Sequence, residues 1–207
     1  MFKIDLLRRS PALFKLGKSS LRQQIKNSAA CVVDRNNHHI AALCQCQAAN
    51  VVLVGPNGVG KSTLARNIAH QALIQGHTVR FATAGELLGE LAALDSDTAL
   101  RRRLRHYASP DLLVIDEIGY LSYSNRHADL LFELVSRRYE AKSTLVTTNK
   151  PFAQWAEVFP NAACVVSLVD RLVHHAEVVV IEGESYRLKE AKERAEQRGR
   201  QRRKGAP

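Results

Sequence analysis

The sequence predicts an α/β fold in which five parallel strands form a sheet that helices cover on both faces. Short apolar runs alternate with segments of helical periodicity, one run leads into a glycine-rich turn, and another ends in two adjacent acids. Alternation of this kind needs crossover connections, and crossover connections join parallel strands. The predicted strands are residues 51–54, 78–82, 112–115, 144–148 and 178–181.

Helical periodicity fills the connections between these strands. Across residues 60–75 the apolar residues Leu64, Ile68 and Ala72 recur at every fourth position, and Gly76 then ends the predicted helix. The other predicted helices are residues 86–94, 97–107, 128–139, 168–175 and a polar, basic helix at 190–203.

The composition is typical of a globular protein with a core of its own. Apolar residues make up 45% of the chain, and no apolar run approaches the roughly 18–20 residues that a membrane span needs. The basic N-terminus lacks the apolar stretch and small-residue cleavage site of a secretory signal. We therefore expect a cytoplasmic protein that does not span a membrane.

The net charge of +10 lies at the two ends of the chain. Residues 1–48 carry a net charge of +6 and residues 189–207 one of +5, whereas residues 49–188 carry −1. We predict a divergent basic N-terminal segment (1–48), a globular domain (49–188) and a basic C-terminal tail (189–207). Basic ends favour a polyanionic partner, above all nucleic acid, although tails that only maintain solubility are an alternative. The arginines of the helix at 97–107 that would contact phosphates are Arg101, Arg102, Arg103 and Arg105.

Several cysteines and histidines precede the first predicted strand. Cys31, His38, His39, Cys44 and Cys46 could surround a zinc ion, but their spacing matches no regular zinc pattern. We expect free thiols instead, because cytosolic proteins seldom rely on disulfides.

The glycine-rich turn matches a phosphate-binding motif. Residues 55–62 read GPNGVGKS and fit G-x-x-x-x-G-K-[ST] at every fixed position. Glycines let backbone N–H groups curve around phosphate oxygens, and the following helix directs its positive end at the same anion. Lys61 would neutralise the β- and γ-phosphates of a nucleotide, and the Ser62 hydroxyl would bind Mg²⁺. A glycine turn with a chance lysine is the alternative, which the flanking strand and helix disfavour. The candidate nucleotide-binding residues here are Gly55, Pro56, Asn57, Gly58, Val59, Gly60, Lys61, Ser62 and Thr63.

The strand at 112–115 runs into Asp116 and Glu117. These acids should lie at the carboxyl edge of the sheet, where open α/β folds bind their ligands. Asp116 would help to bind the nucleotide and hold Mg²⁺ together with Ser62, and Glu117 would orient and deprotonate an attacking water. The pair therefore predicts hydrolysis of ATP.

Asn149 follows the strand at 144–148 at the same edge. It could hydrogen-bond the γ-phosphate and the lytic water, or it could simply cap the end of its strand. Asn149 and Lys150 also begin a guanine-reading N-K-x-D pattern, but Phe152 occupies the position of the required acid. ATP is therefore favoured over GTP.

With these elements in register, the chain resembles the IstB-type helper ATPases of bacterial insertion sequences. That family belongs to the AAA+ superfamily and is related to the DnaC helicase loader. The resemblance spans about residues 50–189 and is most specific in DRLVHH at 170–175 and IEGESYRLK at 181–189.

The resemblance implies a P-loop NTPase fold with an AAA+ core and ATP bound between neighbouring subunits. It also implies that Arg171 is an arginine finger for the adjacent subunit and that Arg187 is a second sensor arginine for the subunit's own nucleotide. Surface ion pairs are the alternative for both arginines. Family members carry a helical domain before the core. In this chain we expect a shortened or unrelated N-terminus instead of that domain.

Three functions are compatible with this sequence. The first is an ATPase that binds double-stranded DNA, self-associates through ATP-bridged interfaces and assists a transposase. The second is a helicase loader with a preference for single-stranded DNA. The third is a remnant that binds ATP without hydrolysis or productive assembly.

Overall fold

A single mixed sheet forms the centre of the protein, whose computed structural model describes residues 3–6, 48–120, 122–160, 162–174, 176–191 and 194–195. The strands are β1 (Lys3–Leu6), β2 (Asn50–Val54), β3 (Val79–Thr83), β4 (Leu112–Ile118), β5 (Ser143–Thr148) and β6 (Ala176–Glu182). They lie in the order β1-β6-β2-β5-β4-β3. The five strands from β2 to β6 are parallel, as predicted, and they follow the AAA+ order that the resemblance implies.

Strand β1 is an addition that the sequence did not predict. It pairs antiparallel with β6, so that Lys3 lies opposite Glu182 and Leu6 opposite Val179. Charged and apolar residues alternate here as in a half-buried strand, but the alternation covers only four residues, and the partner strand lies at the far end of the described chain. The five-stranded parallel sheet is therefore correct for the core and incomplete for the whole sheet.

Helices cover both faces of the sheet. They are α1 (Lys61–Ile74), α2 (Ala84–Ala92), α3 (Asp97–Ala108), α4 (Asn125–Arg138), the short α5 (Trp155–Val158) and α6 (Ala162–Val173). Helix α1 packs on one face against side chains such as Leu53 and Val114. The remaining helices pack on the other face, against side chains such as Val52 and Ile115. Consecutive strand residues thus enter opposite cores, as a sheet covered on both faces requires.

Four helices begin earlier than the sequence predicted. Helix α2 begins at Ala84 rather than at residue 86, and α4 begins at Asn125 rather than at residue 128. Helix α6 begins at Ala162 rather than at residue 168, and the terminal helix begins at residue 186 rather than at 190. The start of α6 is rich in β-branched residues that disfavour a helix locally, but burial of Val165, Leu168 and Leu172 in the core compensates for this.

Arg138 at the end of α4 fixes the position of the arginine-rich helix α3. Its side chain is 1% exposed, and its guanidinium donates to the carbonyl oxygens of Ala108 and Pro110, each at 2.8 Å. Burial lowers the pKa of Arg138 to about 10. These bonds satisfy carbonyls at the C-terminal end of α3, which have no partner within the helix.

Candidate nucleotide-binding site

The loop between β2 and α1 has the backbone of a phosphate-binding loop. Gly58 and Gly60 have φ angles of 81° and 95°, in the left-handed region that glycine adopts at little cost. A Cβ atom on Gly55 would lie 2.3 Å from the carbonyl oxygen of Ile181, so no side chain fits there. The three glycines of the motif are therefore required by the geometry of the loop, which fits a bound phosphate chain.

Lys61 lies inside this loop. Its side chain is 4% exposed, and its Nζ donates to the carbonyl oxygens of Gly55 and Pro56 at 2.7 and 2.8 Å. Burial lowers the pKa of Lys61, while the charges of Asp116 and Glu117 act in the opposite direction. The ammonium group is thus placed between the loop and the acid pair.

Asp116 connects the acid pair to the loop. Its Oδ1 accepts hydrogen bonds from the Ser62 hydroxyl at 3.0 Å and from the Thr147 hydroxyl at 2.5 Å. Carboxylate and hydroxyl oxygens are the ligands that Mg²⁺ prefers, and in such sites the phosphates supply others. Ser62 and Asp116 therefore have the chemistry and the proximity that a Mg²⁺ ion bound with a nucleotide needs.

Glu117 occupies a bulge in β4. Ile115 pairs with Val146 and Ile118 with Thr148, so Asp116 and Glu117 together face Thr147. Glu117 has a φ angle of 68°, and a left-handed backbone costs a non-glycine residue about 1–3 kcal/mol. Such bulges re-aim side chains at functional sites. Glu117 is partly exposed beside Asp116, which the local fold buries to 2% exposure.

Asn149 lies at the end of β5, next to the end of β4. A Cβ atom on Gly119 would be 3.3 Å from Asn149 Oδ1, which places the ends of the two strands side by side. Asn149 Oδ1 is buried and has no hydrogen-bond partner among the described residues. A side chain that only capped its strand would use this oxygen, so its position fits an additional polar group better.

The segment after β6 brings Arg187 to the loop. The Tyr186 N–H donates to the Gly58 carbonyl at 3.0 Å, and the Ser185 hydroxyl accepts from the Leu188 N–H at 3.3 Å, capping residues 186–191. Arg187 is exposed, and its charge contributes to lowering the pKa of Lys61. The contact of Ser185 and Tyr186 with Gly58 was missed because no local pattern links positions so distant in sequence.

Arg171 does not lie at the phosphate-binding loop of its own subunit. Its guanidinium lies 4.5 Å from the ring centre of Phe132 and 5.9 Å from that of Tyr139, and Nη1 donates to the Ser136 hydroxyl. These contacts hold Arg171 against α4 and the residue that follows it, not against the phosphate-binding loop. The remaining predicted loop residues differ in exposure: Val59 is buried, whereas Pro56, Asn57 and Thr63 are exposed.

Comparison with known proteins identifies the family. Residues 19–194 match the family described as IstB-like ATP binding protein. The chain belongs to this family. The predicted resemblance to the IstB-type family is thus confirmed. The match begins within the segment 1–48, to which no motif could be assigned from the sequence.

Relatives of this IstB-like chain are proteins of insertion sequences. Over 141 residues it is 42% identical to a protein of Pseudomonas aeruginosa named as an ATP-binding protein of insertion sequence IS21, covering 68% of this chain and 53% of that one. Over 144 residues it is 42% identical to the IS232 counterpart of Bacillus thuringiensis, covering 70% and 58%. The chain thus spans little more than half the length of these relatives.

Solved structures show the same fold at low sequence identity. The DnaC helicase loader superposes with a TM-score of 0.61 at 22% identity, covering 81% of this chain and 94% of that one. AMPPCP-bound DnaA from Aquifex aeolicus superposes with a TM-score of 0.60 at 18% identity, covering 89% and 53%. The predicted fold, an AAA+-type core with a five-stranded parallel sheet flanked by helices, is therefore confirmed for the IstB-like chain.

Two further expectations concern membranes and metals. Across the described residues, no helix is both long and apolar enough to cross a membrane. The described part of the chain also brings together no three His, Cys, Asp or Glu side chains that could hold a metal ion. The group of Cys31, His38, His39, Cys44 and Cys46 lies outside the described residues.

Proposed function

We propose that this IstB-like chain binds ATP with Mg²⁺, hydrolyses it, and uses the cycle to act on DNA together with a transposase. One observation carries the proposal. The hydroxyls of Ser62 in the loop and of Thr147 in the neighbouring strand both donate to one carboxylate oxygen of Asp116, and the next residue is Glu117, whose N–H bonds to Thr147. This arrangement supports hydrolysis of a nucleotide, because it brings the loop, a candidate Mg²⁺ ligand and a candidate base together.

The residues divide the chemistry between them. Lys61 neutralises the β- and γ-phosphates, and Ser62 and Asp116 hold Mg²⁺, which offsets charge on the phosphates when it is bound. Glu117 takes a proton from the attacking water as the water oxygen bonds to the γ-phosphorus and the bond from the γ-phosphorus to the leaving oxygen of ADP breaks. Asn149, whose Oδ1 lacks a protein partner among the described residues, orients that water. Arg187 contacts the phosphates from the segment after β6.

Arg171 acts on the nucleotide of a neighbouring subunit. The contacts with Phe132 and Ser136 support this role, because they hold the guanidinium on α4 rather than at the loop of its own subunit. Self-association through ATP-bridged interfaces would then complete each site. An arginine supplied in this way stabilises the charge on the transferring phosphoryl group.

Double-stranded DNA is the proposed polyanionic partner. On α3, Arg101, Arg102 and Arg105 are exposed, whereas Arg103 forms an ion pair with Glu90 at 3.1 Å. The proposed basic segments 1–48 and 189–207 flank the ATPase domain at 49–188 and add positive charge. Relatives named for insertion sequences support a transposase as the protein partner, and we place this function in the cytoplasm.

The helicase loader is the second candidate, because the fold is shared with the DnaC helicase loader. ATP hydrolysis by the full chain should be measured alone, with duplex DNA and with single-stranded DNA. The transposition role predicts stimulation by duplex DNA. A response to single strands only would favour the loader, and ATP binding without turnover under every condition would favour a remnant.

A further inference from the structure

Thr147 connects the two acids of the site although it belongs to another strand. The residue lies in β5, opposite the bulge of β4, and its side chain is fully buried with 0% exposure. Its hydroxyl donates to Asp116 Oδ1 at 2.5 Å and accepts from the Glu117 N–H at 2.9 Å. A single oxygen atom therefore contacts one acid through its carboxylate and the other through its backbone.

We propose that Thr147 is a positioning residue that sets Asp116 and Glu117 in their relative orientation for hydrolysis. The inference rests on the proposed function of these two acids. Thr147 is too deeply buried to contact a nucleotide, so it acts only through Asp116 and Glu117.

The bulge explains why a hydroxyl is needed at this position. Two residues of β4 face one residue of β5, which disrupts the regular ladder of backbone hydrogen bonds. The Glu117 N–H bonds instead to the Thr147 side chain, and Glu117 itself has a left-handed φ of 68°. A hydroxyl can donate once and accept at the same time, and both capacities are used here.

Threonine also suits the position better than a more flexible residue. Its branched Cβ restricts χ1, so the hydroxyl keeps one direction in the strand. Ser62 bonds the same carboxylate oxygen, but it belongs to the phosphate-binding loop and is only partly buried. Thr147 therefore supplies the contact to Asp116 that comes from the sheet itself.

Replacement of the hydroxyl by a methyl group isolates its effect. Thr147→Val keeps the shape of the side chain, removes the donor to Asp116 and leaves the Glu117 N–H without its acceptor. We expect kcat to fall about tenfold or more, because small displacements of catalytic groups and losses of outer-shell partners have effects of about 10- to 100-fold. At saturating Mg²⁺ the KM for ATP should change by less than about threefold, because Lys61 and the loop remain intact.

Magnesium dependence gives a second readout that does not require turnover. Binding of a fluorescent ATP analogue, titrated with Mg²⁺, should need about tenfold more metal in Thr147→Val, since partners of metal ligands tune affinity on that scale. Thr147→Ser restores the hydroxyl and should recover both kcat and Mg²⁺ dependence to within about threefold of the parent.

Thr144→Val is the matched control. Thr144 is also in β5 and 2% exposed, but its hydroxyl accepts from Arg138 Nε at 3.1 Å and does not touch the acids. This variant reports what the loss of a buried hydroxyl in β5 does to stability alone. Equal kcat and equal Mg²⁺ dependence in the two valine variants would overturn the proposal.

Two further comparisons keep the outcome decisive. If Thr147→Val does not fold, Thr147→Ala and Thr147→Ser are compared instead, and equal kcat and Mg²⁺ dependence in these two would likewise overturn the inference. Glu117→Gln separates this inference from the function on which it rests. Full hydrolysis in Glu117→Gln would refute the proposed chemistry, whereas its loss together with an unaffected Thr147→Val would refute only the role of Thr147.

Discussion

The Ser62 hydroxyl lies 3.0 Å from Asp116 Oδ1, although 54 positions separate the two residues in the sequence. This bond joins the start of α1 to the end of β4. It places the last residue of the phosphate-binding motif against the first residue of the acid pair, so that one Mg²⁺ ion could contact both.

Lys61→Ala should abolish nucleotide binding or nearly so. The ammonium group is the buried positive charge of the loop, and its loss leaves the β- and γ-phosphates without a compensating cation. Binding can be measured with a fluorescent ATP analogue. Lys142→Ala is a suitable control, because Lys142 is paired with Asp111 at 2.6 Å. An affinity of Lys61→Ala within about twofold of the parent would contradict its assignment to the phosphates.

Neutralising the exposed arginines of α3 should weaken DNA binding without changing its sequence preference. Each phosphate contact that is lost lowers the slope of log affinity against log salt by about one. We therefore expect a weaker salt dependence when Arg101, Arg102 and Arg105 are changed together to glutamine. Arg137→Gln, which removes an arginine paired with Glu133 on α4, serves as the control. Affinity that does not vary with salt in the parent would argue against an electrostatic interface.

Arg171→Ala should retain ATP binding and lose turnover. The residue belongs to α6 and its guanidinium packs against α4, outside the subunit's own loop, and an arginine finger contributes about 10³–10⁵ in rate in related phosphoryl transfer. Mixing Arg171→Ala with Lys61→Ala should restore part of the hydrolysis. At some interfaces the first variant then supplies an intact loop and the second an intact Arg171.

The mixing experiment has an internal control. Arg171→Ala mixed with the double variant Arg171→Ala/Lys61→Ala cannot form a complete site and should stay inactive. If the first mixture also stays inactive although the subunits are shown to assemble together, Arg171 acts within its own subunit or has no role.

The parts of the site that were predictable are those in which chemistry and sequence position coincide. The loop at 55–62 and the pair Asp116–Glu117 are each an uninterrupted stretch of sequence, and each lies at the end of a buried strand. The edge of the sheet at which they meet could therefore be derived from the sequence. Thr147 could not be predicted as a partner, because its relation to Glu117 depends on a bulge that shifts the register by one residue.

Other features arise from contacts between distant segments. Strand β1 is defined by its pairing with β6. The terminal helix begins early because Ser185 and Tyr186 pack on Gly58. The family resemblance predicted a role for Arg171, but its contacts with Phe132 and Ser136 are visible only in the structure. Local sequence patterns do not encode such pairings.

Glu117→Gln tests the central claim that this site hydrolyses ATP through Glu117. The substitution keeps the shape and hydrogen bonding of the side chain but removes the base. ATP binding and turnover should be measured on the full chain with duplex DNA, beside Glu133→Gln as a control for loss of an acid elsewhere. The account predicts unchanged ATP affinity and turnover reduced by about 10²-fold or more. Hydrolysis at the parent rate in Glu117→Gln would show that another group activates the water and would contradict the account.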